Sequence, residues 1–117
     1  MLTKQLMLDH EGQTIMVDII QFKDQYYIYV GGANRSLENL TFVMDTPIDF
    51  KPLRREVYET GKYELDAKTH VDGLSAFLAK KLKCPVLFSF NIDFSNPLQC
   101  ESIVSKVRTA LRTELAI

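Results

Sequence analysis

Cys84 closely follows Lys81 and Lys83, and Cys100 lies just inside a segment that opens with Asn96-Pro97. A thiol attacks only as the thiolate, which nearby cations or a helix N-terminus favour and which a base must help generate. Each cysteine has one of these ingredients. Cys100 also falls on an apolar stripe, where a free cysteine packs as a small hydrophobe, so packing is the expected role of both. The two histidines, His10 and His70, are sixty residues apart with no HxxxH or HExxH pairing, and no metal-ligand set is expected. Glu56, Glu59, Glu64 and Asp66 supply carboxylates, but Lys51, Arg54, Arg55 and Lys62 are interspersed among them. That is a solvated charge mixture rather than a paired acid and base. Gly31-Gly32 ends the run YYIYV; a phosphate cradle needs GxGxxG or GxxxxGK[ST] and a helix behind it, and neither motif is present. The pair is expected to turn the chain. No catalytic residue, cofactor or metal is expected, and the chain reads as a non-enzyme.

The segments that would carry these residues follow from pattern. Gln5 to Leu8 is a short, mixed first strand, and Asp9-His10-Glu11-Gly12 has turn chemistry. Residues 14–22, TIMVDIIQF, are rich in β-branched side chains and read as a strand, with Ile15, Val17 and Ile19 on one face. Met16, Asp18, Ile20 and Phe22 line the other. Tyr26 to Val30 returns antiparallel after a short polar connection, and Leu40 to Asp45 is expected to complete a three-stranded meander. From Thr46 to Lys68 the pattern dissolves into a long charged loop punctuated by Pro47, Pro52 and Gly61. Thr69 and Asp72 then resemble a capping box, ahead of a helix whose stripe is Val71, Leu74, Phe77, Leu78 and Leu82. Pro85 ends it. Val86 to Ile92 is a strand with Val86, Phe88, Phe90 and Ile92 inward. A second helix after Asn96-Pro97 carries the stripe Cys100, Ile103, Val104, Val107, Ala110 and Leu111.

The expected architecture is α+β: an antiparallel β-sheet of five to six strands with an N-terminal meander, and two α-helices in a helix–strand–helix C-terminal half. At 117 residues the chain is one domain, residues 1–117, with 46–68 as its long loop. Its 46% hydrophobic and 25% charged residues are ordinary for a soluble protein, and the net charge of −1 provides no global field for nucleic acid or acidic membrane. Lys80, Lys81 and Lys83 make only a small basic patch. MLTKQLMLDHEGQ lacks the basic start and apolar run of a signal peptide. Together with two unpaired-looking cysteines this places the protein in the cytoplasm, and also in the nucleus, as an expectation.

Apolar side chains are in surplus. If Ile15, Val17, Ile19, Phe88 and Phe90 face the helices, then Met16, Ile20, Phe22 and part of the tyrosine group are left on the far side. Two short helices cannot cover both faces of such a sheet. Tyrosine, an apolar body with a hydroxyl that tolerates water, suits a contact surface. That face is expected to meet a second protein chain, with Met16, Ile20, Tyr27 and Tyr29 as contact residues.

Two stretches carry a family resemblance: YYIYVGGANRSLENLTFVMD, and VDGLSAFLAKKLKCPVLFSFNID with the following CESIVSKVRTAL. The ordered set Val30-Gly31, polar loop to Leu40, long variable loop, Gly73-Leu74, Ala79-Lys80-Lys81 and Ser89-Phe90-Asn91 resembles the proteasome assembly chaperone 4 family. The resemblance spans about residues 14–112. It implies an antiparallel sheet with two helices that dimerises across its sheet with a second small chaperone, similar to proteasome assembly chaperone 3. It also implies binding of an α-type subunit during ordered α-ring formation in the 20S proteasome, with no nucleic acid or membrane partner. Alone, such a chain can be expected to form a homodimer. On this reading the charged loop, through Arg54, Arg55, Glu59 and Tyr63, meets the proteasome subunit. The Gly-Gly loop is about one residue longer than the family pattern. A longin- or roadblock-like trafficking adaptor is the competing class, since these too are small sheets with flanking helices.

Overall fold

A computed structural model describes residues 2–32, 39–45, 52–59, 65–92 and 97–117. The elements in chain order are β1 (Leu2–His10), β2 (Gln13–Gln21), β3 (Tyr26–Gly31), β4 (Asn39–Asp45), β5 (Pro52–Glu59), α1 (Leu65–Leu82), β6 (Val86–Asn91) and α2 (Pro97–Leu115). The strands form one sheet in the order β1-β2-β3-β6-β4-β5. Every neighbouring pair is antiparallel except β3 and β6, which run parallel. The fold is α+β as expected, with an N-terminal meander and a helix–strand–helix C-terminal half.

The meander has a different third member from the one expected. β1, β2 and β3 compose it, and β4 lies beyond β6 rather than beside β3. The physical reason is burial. VLFSFN is the most apolar strand, and a sheet buries such a strand by pairing it on both edges. Placed between β3 and β4, Phe88 is flanked by Ile28 and Thr41, and Phe90 by Val30. The α1 crossover supplies the length that a parallel connection requires.

Two further boundaries move. β1 runs the full nine residues from Leu2 to His10, continuously paired to β2. The stretch expected as one long loop contains strand β5 over 52–59 and the start of α1 at Leu65. Thr69 is thus inside the helix and does not cap it. Residues 46–51 and 60–64 lie outside the described residues.

The core is one cluster between the helices and one face of the sheet. Ile15, Val17, Ile19, Ile28, Val30, Val43, Val86, Phe88 and Phe90 meet Leu74 and Leu78 of α1 and Cys100, Ile103, Val107 and Leu111 of α2. The alternating burial of β2 shows why, since every second residue is sealed and those between are half-exposed. Arg108 of α2 joins the helices by laying its guanidinium 5.1 Å from the centre of the Phe77 ring of α1. At the end of α1, Lys83 takes a left-handed φ of 56° and its N–H donates to the Ala79 carbonyl at 3.0 Å, a helix-terminating turn made without glycine.

Candidate interaction surface

Both helices pack on one face, so the other face carries no described element. β2 presents Met16, Asp18 and Ile20 there, β3 presents Tyr27 and Tyr29, and β6 presents Leu87, Ser89 and Asn91. The register aligns them in rows: Ile20 beside Tyr27, Tyr27 beside Leu87, and Leu87 beside Phe42 of β4. Met16, Ile20, Tyr27, Phe42, Met44 and Leu87 are each half-buried. Flat neighbours on a pleated surface shield one another's flanks and leave the tops bare. At the β1 side Met7 is 68% exposed, opposite Met16 in the ladder. Phe22, just past β2, is 40% exposed. The polar members are tied down: Gln5 Nε2 donates to Asp18 Oδ1 at 3.0 Å. The result is a row of thioether, aliphatic and aromatic tops with few polar groups between them, the composition of an interface centre.

YYIYV turns out to divide its side chains between the faces. Tyr26 sits level with Val86 on the helix side, followed by Ile28 and Val30, while Tyr27 and Tyr29 take the open side. The two open-side tyrosines differ. Burial raises the Tyr27 hydroxyl above its usual pKa, with the Asp18 charge adding to the rise, yet the ring is still partly exposed. Tyr29 is only 7% exposed. Its ring lies along the strand over Gly31, where a methyl group would come within 2.7 Å of Cε1 and Cζ. Gly31 is therefore a strand residue whose missing side chain makes room for Tyr29, not the turn expected. Beside them Asn91 Nδ2 donates to Ser89 Oγ at 2.7 Å and to the Val30 carbonyl at 3.2 Å, and both polar residues are buried. Ser-Phe-Asn thereby ties β6 to β3.

Of the expected contact residues, the structure brings Met16, Ile20 and Tyr27 onto one continuous open face and sets Tyr29 into its floor. Arg54, Arg55 and Glu59 belong to β5, their backbones paired with Val43, Phe42 and Asn39. Tyr63 lies outside the described residues. Met7, Phe42 and Met44 were not expected at this surface, and Leu87 was expected to point away from the core but not as a contact residue. Met7 was hidden by reading β1 as a short mixed segment, although Leu2, Leu6 and Leu8 already alternate with Thr3, Gln5, Met7 and Asp9.

The two thiols are not activated. Burial pushes Cys100 up to about 11, with Glu101 adding to the effect, and burial also raises Cys84 despite its lysine neighbours. Cys84 lies beyond the end of α1 rather than within a helix. Among the described residues no three histidine, cysteine or carboxylate groups converge as a metal site. No described helix is long and apolar enough to cross a membrane.

No protein-family model matches the chain, and no curated protein sequence does either. Among solved structures, the chain is similar to a chain of a chaperone complex for yeast 20S proteasome assembly, known from a crystal structure. The TM-score is 0.65 at 15% sequence identity, over 98% of this chain and 99% of that one. At that identity the likeness is one of fold, and it extends from end to end.

Proposed function

We propose that this chain is a non-enzymatic chaperone of 20S proteasome assembly, acting in the cytoplasm. In this reading it pairs with a second small chaperone through the open sheet face and holds an α-type subunit while the α-ring forms. The observation that carries it is the apolar row, covered by no described element, running from Met16 and Ile20 through Tyr27 and Leu87 to Phe42, on a fold matching that of a proteasome assembly chaperone along its whole length. Such a role needs no bond-making groups. Binding energy alone can favour one order of subunit addition, provided that the chaperone later leaves. Tyrosine- and methionine-rich surfaces suit that demand, because they bury area while tolerating water when the partner departs. The β5 sequence mixes arginine and glutamate, so in this reading capture of the subunit should weaken with salt.

The experiment is affinity capture of the tagged chain from cell lysate, read by quantitative mass spectrometry. Free α-type subunits and a second small chaperone should be enriched, without β-type subunits of the mature particle. Enrichment of an unrelated complex, or of nothing, defeats the proposal. Ile20→Lys with Tyr27→Lys should lose the partner chaperone while the isolated chain stays folded. Arg54→Ala with Arg55→Ala should lose the α-type subunit and keep the partner chaperone.

A further inference from the structure

The two edges of the sheet are built differently. β5, at one edge, starts with Pro52, carries Arg54, Arg55, Glu56 and Glu59, and pairs with β4 through a register shift at Leu40/Thr41. Proline, charge and irregularity are the devices that keep an edge from recruiting other strands. β1, at the other edge, has neither proline nor a register shift, and its two charged residues are Lys4, paired with Glu114 of α2, and Asp9. It is nine residues long, LTKQLMLDH, free of proline and glycine, and in unbroken register with β2.

The hairpin that joins β1 to β2 settles which backbone groups face outward. Glu11 and Gly12 both have left-handed φ, 52° and 83°, the signature of a two-residue type I′ turn. Such a turn makes His10 and Gln13 a hydrogen-bonded pair, and alternation then turns the N–H and C=O of Thr3, Gln5, Met7 and Asp9 away from β2. The Asp9 carbonyl accepts from Lys106 Nζ of α2, which agrees with that direction. No described strand pairs with the others. They form a ready ladder.

Between β1 and α2 runs an open groove of about 990 Å³. Two contacts orient its walls: Lys106 at the Asp9 carbonyl, and Glu114 Oε1 at 3.1 Å from Lys4 Nζ. The helix therefore runs opposite to the strand, and the stretch midway between the two contacts, Thr109 and Ala110, lies alongside Leu6 and Met7. Ser105, Thr109 and Thr113 recur every fourth residue on this wall and are exposed. The Thr109 and Thr113 hydroxyls donate back to the Ser105 and Thr109 carbonyls at 3.1 Å, leaving a low surface with its donors already used.

We propose that β1 is where a second copy of this chain adds, antiparallel and edge to edge, about a two-fold axis at Met7. The choice of a copy over a foreign strand rests on self-complementarity. For both pairs of helices to stay on one side of the joined sheet, odd residues must face odd and even face even. Centring on Met7 meets this rule. It sets Leu6 against Leu8 of the copy on the helix side, and Gln5 against Asp9 on the other. The same axis sets Ser105 opposite Thr113 and Thr109 opposite itself, so the two α2 helices meet along small side chains. A foreign strand would use the ladder alone and need none of this symmetry. The β1 edge adjoins the open sheet face and shares Met7 with it, but it would pair through backbone groups, and the inference stands or falls separately from the proposed function.

The test is the mass of the purified chain by sedimentation from low to high micromolar concentration, for the wild type and Met7→Pro. Proline is tolerated in an edge strand where the N–H faces outward, so the variant should fold as the wild type does. The wild type should dimerise, and Met7→Pro should weaken the dimer at least about tenfold. For a readout that does not depend on proline, Met7→Cys in a Cys84→Ser background should cross-link to a dimer with a short bismaleimide, whereas Phe42→Cys on the open face should not. A wild type that stays monomeric, a dimer indifferent to Met7→Pro, or cross-linking through Phe42 alone overturns the proposal. So does a monomer in which Met7→Pro only abolishes capture of a different protein's strand.

Discussion

On the helix side of the sheet, Ile15, Val17, Ile19, Ile28, Phe88 and Phe90 are sealed to within 2% of complete burial. On the far side, the residues between them in the chain, Met16, Ile20, Tyr27 and Leu87, remain partly exposed. Both sets are apolar and share strands and backbone, so propensity cannot explain their different fates. What differs is the layer above. α1 and α2 supply the only described cover, and both lie on one side, because each of their stripes must bury against the same alternating row. One sheet thus has two unlike faces: one holds the chain together, and the other keeps apolar side chains partly in water with no described element over it.

That contrast can be tested by mutation. Phe88→Ala should cost about 3–5 kcal/mol in urea unfolding, since it removes a sealed ring and leaves a cavity. Ile20→Ala should cost only about 1 kcal/mol in the isolated chain, as its side chain stays partly exposed on the folded sheet. Equal losses would erase the distinction between the faces.

A thiol on the sealed side gives a pH-dependent version. The folded Cys100 titrates near 11 against an ordinary value of 9.0. Below pH 9 both states carry the neutral thiol and its contribution is intact; above that the unfolded chain ionises first, and stability falls until the folded thiol titrates. The loss across pH 9 to 11 is on the order of 2–3 kcal/mol. Its slope should flatten in Cys100→Ala, and native Cys100 should resist alkylation while Cys84 reacts.

On the open side, Gly31→Ala should cost about 1–3 kcal/mol by displacing Tyr29 from its notch. In a Tyr29→Ala background the same change should be nearly silent, and a double-mutant cycle on thermal unfolding reads the coupling. The smallest effect lies outside both faces. Lys83→Gly relieves the left-handed φ of 56° and should raise stability by about 0.5–1 kcal/mol in the same melts.

Much of this fold could be read from the chain. β2, β3, β6 and α2 have the expected positions, because strict alternation or a clean four-residue stripe leaves one consistent face. β1 and β5 were harder to read. LTKQLMLDH mixes lysine, glutamine and aspartate into its alternation, as an edge strand can, and PLRREVYE carries too much charge to announce a strand without its neighbour. Thr69 and Asp72 imitate a cap inside α1, since the same residue types serve helix starts and exposed helix surfaces alike. The open face was legible as a surplus of apolar residues. Met7, Phe42 and Met44 were not assigned to it, because membership depends on strand order.

Local pattern was thus enough for the two-layer architecture, the single apolar core and the excess of apolar sheet, since alternation and helical stripes are properties of neighbours along the chain. Strand order, the insertion of β6 between β3 and β4, the seating of Tyr29 over Gly31 and the place of β1 at the sheet's edge were decided only in three dimensions. Each of those joins residues far apart in sequence, and which long-range pairing prevails depends on the burial summed over the whole sheet, not on any segment's own preference.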